Sequence, residues 1–218
     1  MELQELRGTA LFHGLDGQEI AACLRALDCR ERRFARDERI LSAGDTTDCL
    51  GLVLEGSVRI ESNDLWGDRT ILSHVGPGDL FAETFAFLRD EVLLVDVCAN
   101  EPCRILFVRL SALDSAESWA RRLTRNLLTV TARKNLHLTS RSFHTAPKSV
   151  RGRLLSYLNS VSLRQHSRKF SIPFDRQQLA DYLNVERTAL SKELGRMRRE
   201  GLLLCRKNHF QLTGSPEE

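Results

Sequence analysis

Four polar side chains near the C-terminal end of the chain have residue types and a spacing that suit binding to nucleic acid. Arg187, Thr188, Ser191 and Lys192 occupy positions i, i+1, i+4 and i+5, so a helix would present them on one side. Guanidinium, ammonium and hydroxyl groups hydrogen-bond base edges and phosphate oxygens. The alternative is an ordinary solvated helical hairpin, because helices with a polar outer face are common.

Two apolar stripes define the helices that must position this polar face. The first stripe ends at Asn184, and Asp175 followed three residues later by Gln178 has the pattern of a capping box at its start. Two short helices joined by a tight turn are typical of a helix-turn-helix that enters the DNA major groove. The apolar positions are Leu179, Ala180 and Leu183 in the first stripe and Leu190, Leu194 and Met197 in the second.

A β-hairpin is predicted directly after the second helix. Apolar runs at 202–204 and 210–212 flank a turn at Lys207 and Asn208. A hairpin in this place is the wing of winged-helix DNA-binding proteins. We therefore expect Lys207 and His209, near its tip, to lie close to backbone phosphates.

Charge is unevenly distributed along the 218 residues. Residues 146–218 hold 14 Lys and Arg against 7 Asp and Glu, whereas residues 1–145 hold 18 against 22. This difference favours a polyanion as the partner of the C-terminal third. There is neither an apolar run long enough to span a membrane nor the pattern of a secretory signal, so we expect a cytoplasmic protein that does not bind membranes.

The sequence gives no sign of catalytic or metal-binding chemistry. It contains no nucleophile–base pair, no metal triad and no phosphate-binding glycine loop with a following lysine, so we do not expect an enzyme. None of the six cysteines forms a C-x₂-C pair, and we expect free, mostly buried thiols and no metal site. A redox or metal pair formed by Cys23 and Cys29, or by Cys98 and Cys103, stays open.

The N-terminal part reads as a sheet domain. A helical lead-in over 3–28 is followed from Arg33 by alternation of apolar and polar residues, with turn signals at 55–56, 63–64 and 76–79. Further strands are predicted at Val92–Val97 and Arg104–Val108. Many short, evenly spaced strands indicate a small β-barrel or jelly roll, which we assign to residues 1–114.

A long helix without Pro or Gly is predicted to follow, over 115–145. Leu123, Leu127 and Val130 recur at spacings of four and three, which favours a dimerisation seam. Packing of these residues on their own domain is the alternative. Pro147 then ends the helix, and residues 146–218 form the third region, with a further helix at 150–163. The fold class is α+β: a barrel or jelly-roll sensor, a long dimerisation helix and a winged helix-turn-helix.

In its motifs the chain resembles the CRP/FNR family of bacterial transcription regulators over nearly its whole length. The sensor half matches at Gly44-Asp45, at 54–58 (LEGSV) and at 78–83 (GDLFAE), and the C-terminal half matches at 176–180 (RQQLA) and 185–194. The resemblance implies a homodimer joined through the long helix. It also implies that each chain inserts one helix into successive major grooves of a near-palindromic site, under the control of an effector in the barrel. RNA polymerase is a further partner if the protein is an activator.

The resemblance also assigns roles to single residues. Arg187 and Lys192 fall where the family reads bases or phosphates, and Arg176 matches a phosphate contact. Thr188 stands where members that respond to cyclic AMP have a glutamate, and Glu186 stands where they have a serine N-cap, so a different operator is implied. The predicted DNA-contacting residues are Arg176, Gln177, Arg187, Thr188, Ser191, Lys192, Lys207 and His209.

The sensor departs from the pattern of members that bind cyclic nucleotides. Their Arg-Ser pair, which holds the cyclic phosphate, is replaced by Leu93 and Leu94, and the loop glycine is replaced by Ala82. A phosphate buried against two leucines would be an unpaired charge, so cyclic AMP is not expected to be the effector, and a small neutral or aromatic organic molecule fits better. The predicted effector pocket consists of Leu80, Phe81, Ala82, Glu83, Leu93 and Leu94.

Other modes of control stay open. The barrel could be filled and need no ligand, or haem could be bound through His74 or His13. An iron–sulfur cluster of the oxygen-sensing kind is not expected, because no cysteine precedes Cys23. A cyclic-nucleotide-binding module without DNA targets is the remaining alternative, and the basic C-terminal third argues against it.

Overall fold

The structure, a computed structural model, describes residues 3–63, 69–110, 113 and 117–213. The chain divides into two compact units, an N-terminal unit, Met1–Arg133, and a C-terminal unit, Lys134–Glu218. The division falls inside the long helix. The boundaries predicted from the sequence, at 114/115 and 145/146, stay predictions.

The N-terminal unit consists of two four-stranded antiparallel sheets with helices before, between and after their strands. The strand orders are β1-β8-β3-β6 and β2-β7-β4-β5, which confirms the predicted barrel-like sensor fold. In chain order the elements are α1 (Leu3–Arg7), α2 (Gly17–Ala26), β1 (Arg30–Phe34), β2 (Arg39–Leu41), β3 (Cys49–Glu55), β4 (Val58–Asn63), β5 (Arg69–Val75), β6 (Leu80–Phe81), α3 (Glu83–Leu88), β7 (Asp96–Ala99), β8 (Cys103–Arg109) and α4 (Ser118–Thr145).

Local chemistry sets several of these boundaries. The Asp16 carboxylate accepts hydrogen bonds from the first amides of α2, and Glu19 completes the capping box. Gly56 joins β3 to β4 with a φ of 71°, a conformation that favours glycine. The predicted turn at Asn63-Asp64 falls at the end of β4, and Asp64 lies outside the described residues.

One predicted strand is shorter than expected. The alternation over Val92–Val97 predicts a strand, but β7 begins only at Asp96. Leu93 instead exchanges backbone hydrogen bonds with the turn at Gly44 and Asp45: its amide donates to the Asp45 carbonyl over 2.8 Å, and its carbonyl accepts from the Gly44 amide over 2.7 Å. A connection held by a turn replaces the first half of the expected strand.

The residues predicted for the dimerisation seam pack against their own domain, and the seam itself stays a prediction. Leu123 and Leu127 are buried in the core that α4 shares with α1, α2 and the first sheet, and Val130 packs against the same cluster. Leu123 and Leu127 therefore offer little surface to a second copy, whereas Val130 is only partly buried. The spacing of four and three marks the face that packs on the sheet domain.

The C-terminal unit has the predicted winged helix-turn-helix. It contains the end of α4, from Lys134 onwards, and a three-stranded sheet in the order β10-β11-β9. The two predicted apolar stripes are buried in one core. The remaining elements are α5 (Val150–Arg164), β9 (Lys169–Ser171), α6 (Arg176–Tyr182), α7 (Arg187–Arg199), β10 (Leu203–Arg206) and β11 (His209–Leu212).

Within the described ranges, no helix combines the length and the apolar character needed to cross a bilayer.

Candidate nucleic-acid interface

The first helix of the helix-turn-helix begins at a capping box. The Asp175 carboxylate accepts a hydrogen bond from the Gln178 amide over 2.8 Å, and the Gln178 side chain accepts one from the Asp175 amide over 2.9 Å. This reciprocal pair satisfies amides that a helix start leaves without partners. The cap therefore fixes the first turn of α6, which carries Arg176 and Gln177.

The Arg176 side chain is held in position by neighbours that do not neutralise its charge. Its guanidinium lies 5.3 Å from the centre of the Phe210 ring, and Nη2 lies 3.6 Å from Sγ of Cys205. Neither neighbour carries a negative charge. The ring and the thiol position a cation that still has hydrogen bonds to donate to a phosphate.

The second helix presents the polar face that its sequence predicts. Arg187, Thr188, Ser191 and Lys192 are all exposed, whereas the apolar stripe on the opposite side of α7 is buried in the core of the unit. Glu186 precedes the helix and its side chain caps no amide. The start of α7 thus exposes a donor-rich surface.

Side chains from three elements converge on one cleft of about 820 Å³. Arg176 and Gln177 come from the start of α6, Arg187 from the start of α7, and Lys207 from the hairpin turn, where its φ is 55°. A second concave surface of about 540 Å³ shares Gln177 and Arg187 with the first. Four of the eight predicted contact residues therefore line a single basic cleft, which an anion could enter.

His209 lies elsewhere. It belongs to β11, and its Nδ1 is 2.7 Å from the Ser171 hydroxyl. It lines a different concavity, over the three-stranded sheet, because the hairpin turns at Lys207 and Asn208. Asn208, which the sequence reasoning missed, lines the basic cleft, and its side chain donates to the Ile172 carbonyl over 3.0 Å. The turn signal at this dipeptide could have indicated it.

Glu193 on α7 and Glu200 just after it both form ion pairs with Arg151, and Glu200 also pairs with Arg196 over 3.0 Å. Nε of Arg151 lies 2.5 Å from the Glu193 carboxylate, and Nη2 lies 2.8 Å from that of Glu200. Arg151 lowers the pKa of Glu200 through these hydrogen bonds and its charge. The ion pairs fasten α7 to α5 and offset negative charge that would otherwise repel a polyanion.

Comparison with known protein families agrees with this division of the chain. The family model of the cyclic nucleotide-binding domain matches residues 31–116, and that of the Crp-like helix-turn-helix domain matches residues 152–213. The chain belongs to the CRP/FNR family. The order of sheet domain, long helix and winged helix-turn-helix is the arrangement expected of a member of this family.

Individual relatives show how far the likeness extends. The chain is 35% identical over 78 residues to the cyclic AMP receptor protein of Thermus thermophilus, a match that covers 36% of this chain and only 35% of that protein. The solved catabolite activator protein of T. thermophilus is 26% identical, with a TM-score of 0.51 and coverage of 94% of this chain and 93% of that one. The c-di-GMP responsive regulator CLP of Xanthomonas campestris shares the fold at 20% identity, with a TM-score of 0.54 and coverage of 92% and 100%.

The six predicted effector residues of this CRP/FNR protein differ in burial. Leu80 and Phe81 form β6 and are buried in the core, Glu83 is buried at the start of α3, and Leu93 is 2% exposed. Leu94 is 75% exposed, so it cannot line an interior site. Ala82 adopts a φ of 58°, a left-handed conformation that favours glycine. Burial therefore separates Leu94 from the other five residues, and the effector pocket stays a prediction.

A groove of about 300 Å³ lies instead on the N-terminal unit between α3 and α4. Phe87, Leu88 and Leu128 are exposed apolar side chains at its edges. Of the predicted effector residues, Glu83 contributes to this groove. Its lining consists of Glu83, Thr84, Phe87, Leu88, Leu113, Thr124, Leu127, Leu128 and Thr131.

The cysteines considered for redox or metal chemistry are free thiols, and Cys29 lies near enough to Cys23 for their charges to interact. All six cysteines are free, and burial raises the pKa of the Cys23 thiol to about 12 and that of Cys29 further still, so these thiols stay protonated at neutral pH. His13 and His74 are both exposed. In the part of the chain that the structure describes, no three His, Cys, Asp or Glu side chains form a group suited to a metal ion.

Proposed function

We propose that the protein is a homodimeric transcription regulator that binds a near-palindromic DNA site through its C-terminal unit. The observation that carries this proposal is the basic cleft, where Arg176, Gln177, Arg187 and Lys207 converge beside the exposed face of α7. If the protein activates transcription, RNA polymerase is its further partner.

The polar residues divide into two groups by position. Thr188, Ser191 and Lys192 lie along the exposed face of α7, which would enter the major groove together with Arg187 and read base edges. Arg176 and Lys207 line the cleft and would bind phosphates. Base contacts give sequence preference, whereas phosphate contacts set position and salt dependence.

We propose that the dimer forms through a different stripe of α4 from the one first predicted. Thr124, Leu128 and Thr131 are spaced by four and three, and all three line the groove beside Phe87 and Leu88. Leu128 is 68% exposed. A second copy of the helix would cover this apolar side chain, and heptad spacing is the repeat by which two helices pair.

Sedimentation measurements test the dimer. Leu128→Glu should give monomers that bind DNA poorly, because it places a charge in the seam. Thr129→Glu is the matched control, since Thr129 is exposed on the neighbouring face of α4. A wild-type monomer that binds a single half-site tightly, or equal effects of both variants, would contradict the proposal.

We propose that the effector, where one acts, is a small neutral or aromatic molecule and not a cyclic nucleotide. Leu93 and Leu94 offer no hydrogen bonds to a cyclic phosphate. Arg59, whose side chain is 7% exposed, is already bound to Glu61 over 2.6 Å and to Asp37 over 2.8 Å. An anion would therefore lack the guanidinium that must replace its water shell. Calorimetry tests this: micromolar binding of cyclic AMP or cyclic GMP would refute it.

Regulation without a ligand is the second candidate. Between the two sheets, the Phe34 and Phe107 rings meet edge to face at 6.1 Å, and Phe81 and Phe107 do so at 6.4 Å. These rings belong to one packed cluster, which would leave less room for an effector between the sheets. If protein unfolded and refolded in the absence of small molecules binds DNA as tightly as the isolated protein does, this second candidate is favoured.

A further inference from the structure

The last turn of α4 contacts the end of the first helix of the helix-turn-helix. Within the C-terminal unit, Arg141 donates from Nε to the Tyr182 carbonyl over 3.3 Å and from Nη2 to the Asp181 carbonyl over 3.4 Å. Its guanidinium also lies 5.9 Å from the centre of the Tyr182 ring. Three weak contacts from one side chain thus reach the C-terminal end of α6.

His144 makes a second connection to the same tyrosine. It is 3% exposed, and its Nδ1 lies 2.9 Å from the Tyr182 hydroxyl. The imidazole meets the Tyr157 ring edge to face at 5.4 Å, and Phe174 packs at 5.0 Å from Tyr182. A buried polar group needs its hydrogen bond, so this pair defines one position of α4 against α6.

The turn between the two helices is held in a related way. Nη1 of Arg153, on α5, donates to the carbonyls of Leu183 and Asn184 over 3.2 and 2.7 Å, and Nε donates to the Pro147 carbonyl over 2.8 Å. The last carbonyls of a helix have no partners within it and carry partial negative charge. Between them, the guanidiniums of Arg141 and Arg153 reach four successive carbonyls at the end of α6.

We propose that Arg141 and His144 are positioning residues. Their contacts with Tyr182 form a latch that holds the end of α4 against α6 and so sets the position of the recognition helix α7. The helices α6 and α7 share one core, so a shift of α6 moves α7 with it. Any change in α4 would then be transmitted to the DNA-binding surface through these contacts. This inference rests on the proposed function, because its consequence is measured as operator affinity.

Three variants of the full chain test the latch, with a DNA duplex selected by the wild-type protein from a random-sequence library as the probe. Tyr182→Phe removes one hydroxyl and no charge, and Arg141→Gln removes the guanidinium. Arg133→Gln is the matched control, since Arg133 is exposed on the same helix. Affinity is measured for the selected duplex and for a scrambled duplex over a range of salt concentrations.

The latch predicts that Arg141→Gln weakens binding to the selected duplex by ~2- to ~30-fold, and that Tyr182→Phe has a smaller effect. Binding to the scrambled duplex should not change, and Arg133→Gln should behave as wild type. If Arg141 contacted a phosphate instead, its loss would lower the salt slope by about one. A lowered slope, equal losses on both duplexes or no loss at all would overturn the proposal.

Hydrogen exchange separates failure of the latch from failure of the proposed function. If the wild-type protein selects no sequence, DNA binding is refuted, but the latch still predicts faster exchange of α6 amides in Tyr182→Phe and Arg141→Gln than in Arg133→Gln. Unchanged α6 exchange in both latch variants would overturn the latch alone. Where Arg141→Gln fails to fold, Tyr182→Phe decides the question.

Discussion

The two units differ in how they use the arginines at their candidate sites. In the N-terminal unit, the arginines that reach the interior are bound by carboxylates: Arg59 by Glu61 and Asp37, and Arg104 by three glutamates. In the C-terminal unit, Arg187 and Lys207 are exposed, and no described carboxylate pairs with either. An anion binds where positive charge is not already neutralised. The comparison therefore supports the proposed polyanion site on the winged helix-turn-helix and argues against a phosphate site in the sensor.

Breaking the ion pairs of Arg59 should have the largest effect, a loss in the free energy of unfolding. Arg59→Met leaves Glu61, whose side chain is 6% exposed, without its guanidinium partner, and removal of one member of a buried pair costs ~3–5 kcal/mol. Chemical unfolding should show this loss in the N-terminal unit. The double variant Arg59→Met, Glu61→Leu should recover much of it. If the single variant is as stable as the wild type, the ion pairs of Arg59 do not stabilise the N-terminal unit.

Arg187→Ala tests the opposite use of an arginine. It should leave stability within ~0.5 kcal/mol of wild type, because the residue is exposed. Operator affinity should fall by ~1–3 kcal/mol, with the preference relaxed at one base pair. Titration of single-base-pair operator variants measures both quantities. A uniform loss across all of these sequences would show that Arg187 does not read a base.

Lys207→Ala should have a smaller and different effect. As a phosphate contact, the residue adds affinity without sequence preference, so its loss should weaken binding evenly across sequences and lower the salt slope by about one. Binding isotherms at several salt concentrations give the slope. His209→Ala is the control, because His209 lies outside the basic cleft, and its slope should match that of the wild type.

The smallest effect expected is a pH dependence set by His144. Burial, and then the charge of Arg164, lower its pKa below the ordinary value of 6.5. The unfolded chain therefore binds a proton more readily than the folded unit, so the free energy of unfolding should decrease as the pH falls from 6.5 towards the folded pKa. Unfolding of the C-terminal unit above and below pH 6.5 measures this decrease. The free energy of unfolding of His144→Leu should depend less on pH. An unchanged dependence in that variant would assign the effect to other groups.

Some of this organisation was predictable from the sequence because it is local. The capping box at Asp175 and Gln178 and the turn at Lys207 and Asn208 lie within a few residues, so short-range spacing was enough to predict the winged helix-turn-helix. Short-range spacing could not separate the two neighbouring stripes of α4, for a physical reason. Leu127 and Leu128 are adjacent leucines, and only the packing of α4 shows which is buried.

The sensor and the latch depend on contacts that are distant in sequence. Arg141 and Tyr182 are far apart in the chain. The spacing of residues along α4 therefore does not predict which carbonyls the Arg141 guanidinium contacts. Leu93 and Leu94 look equivalent in the sequence, but hydrogen bonds to the turn at Gly44 and Asp45 place Leu93 inside and leave Leu94 outside. Features of this kind require the tertiary structure.

The most direct test of the central claim is selection from a random-sequence duplex library with wild-type protein and Arg187→Ala side by side. The account predicts that the wild type enriches a near-palindrome with half-sites about 34 Å apart, one turn of DNA, and that the variant enriches the same spacing with one base-pair preference lost in each half. Enrichment of no sequence by the wild type, or of the same full consensus by both proteins, would contradict the account.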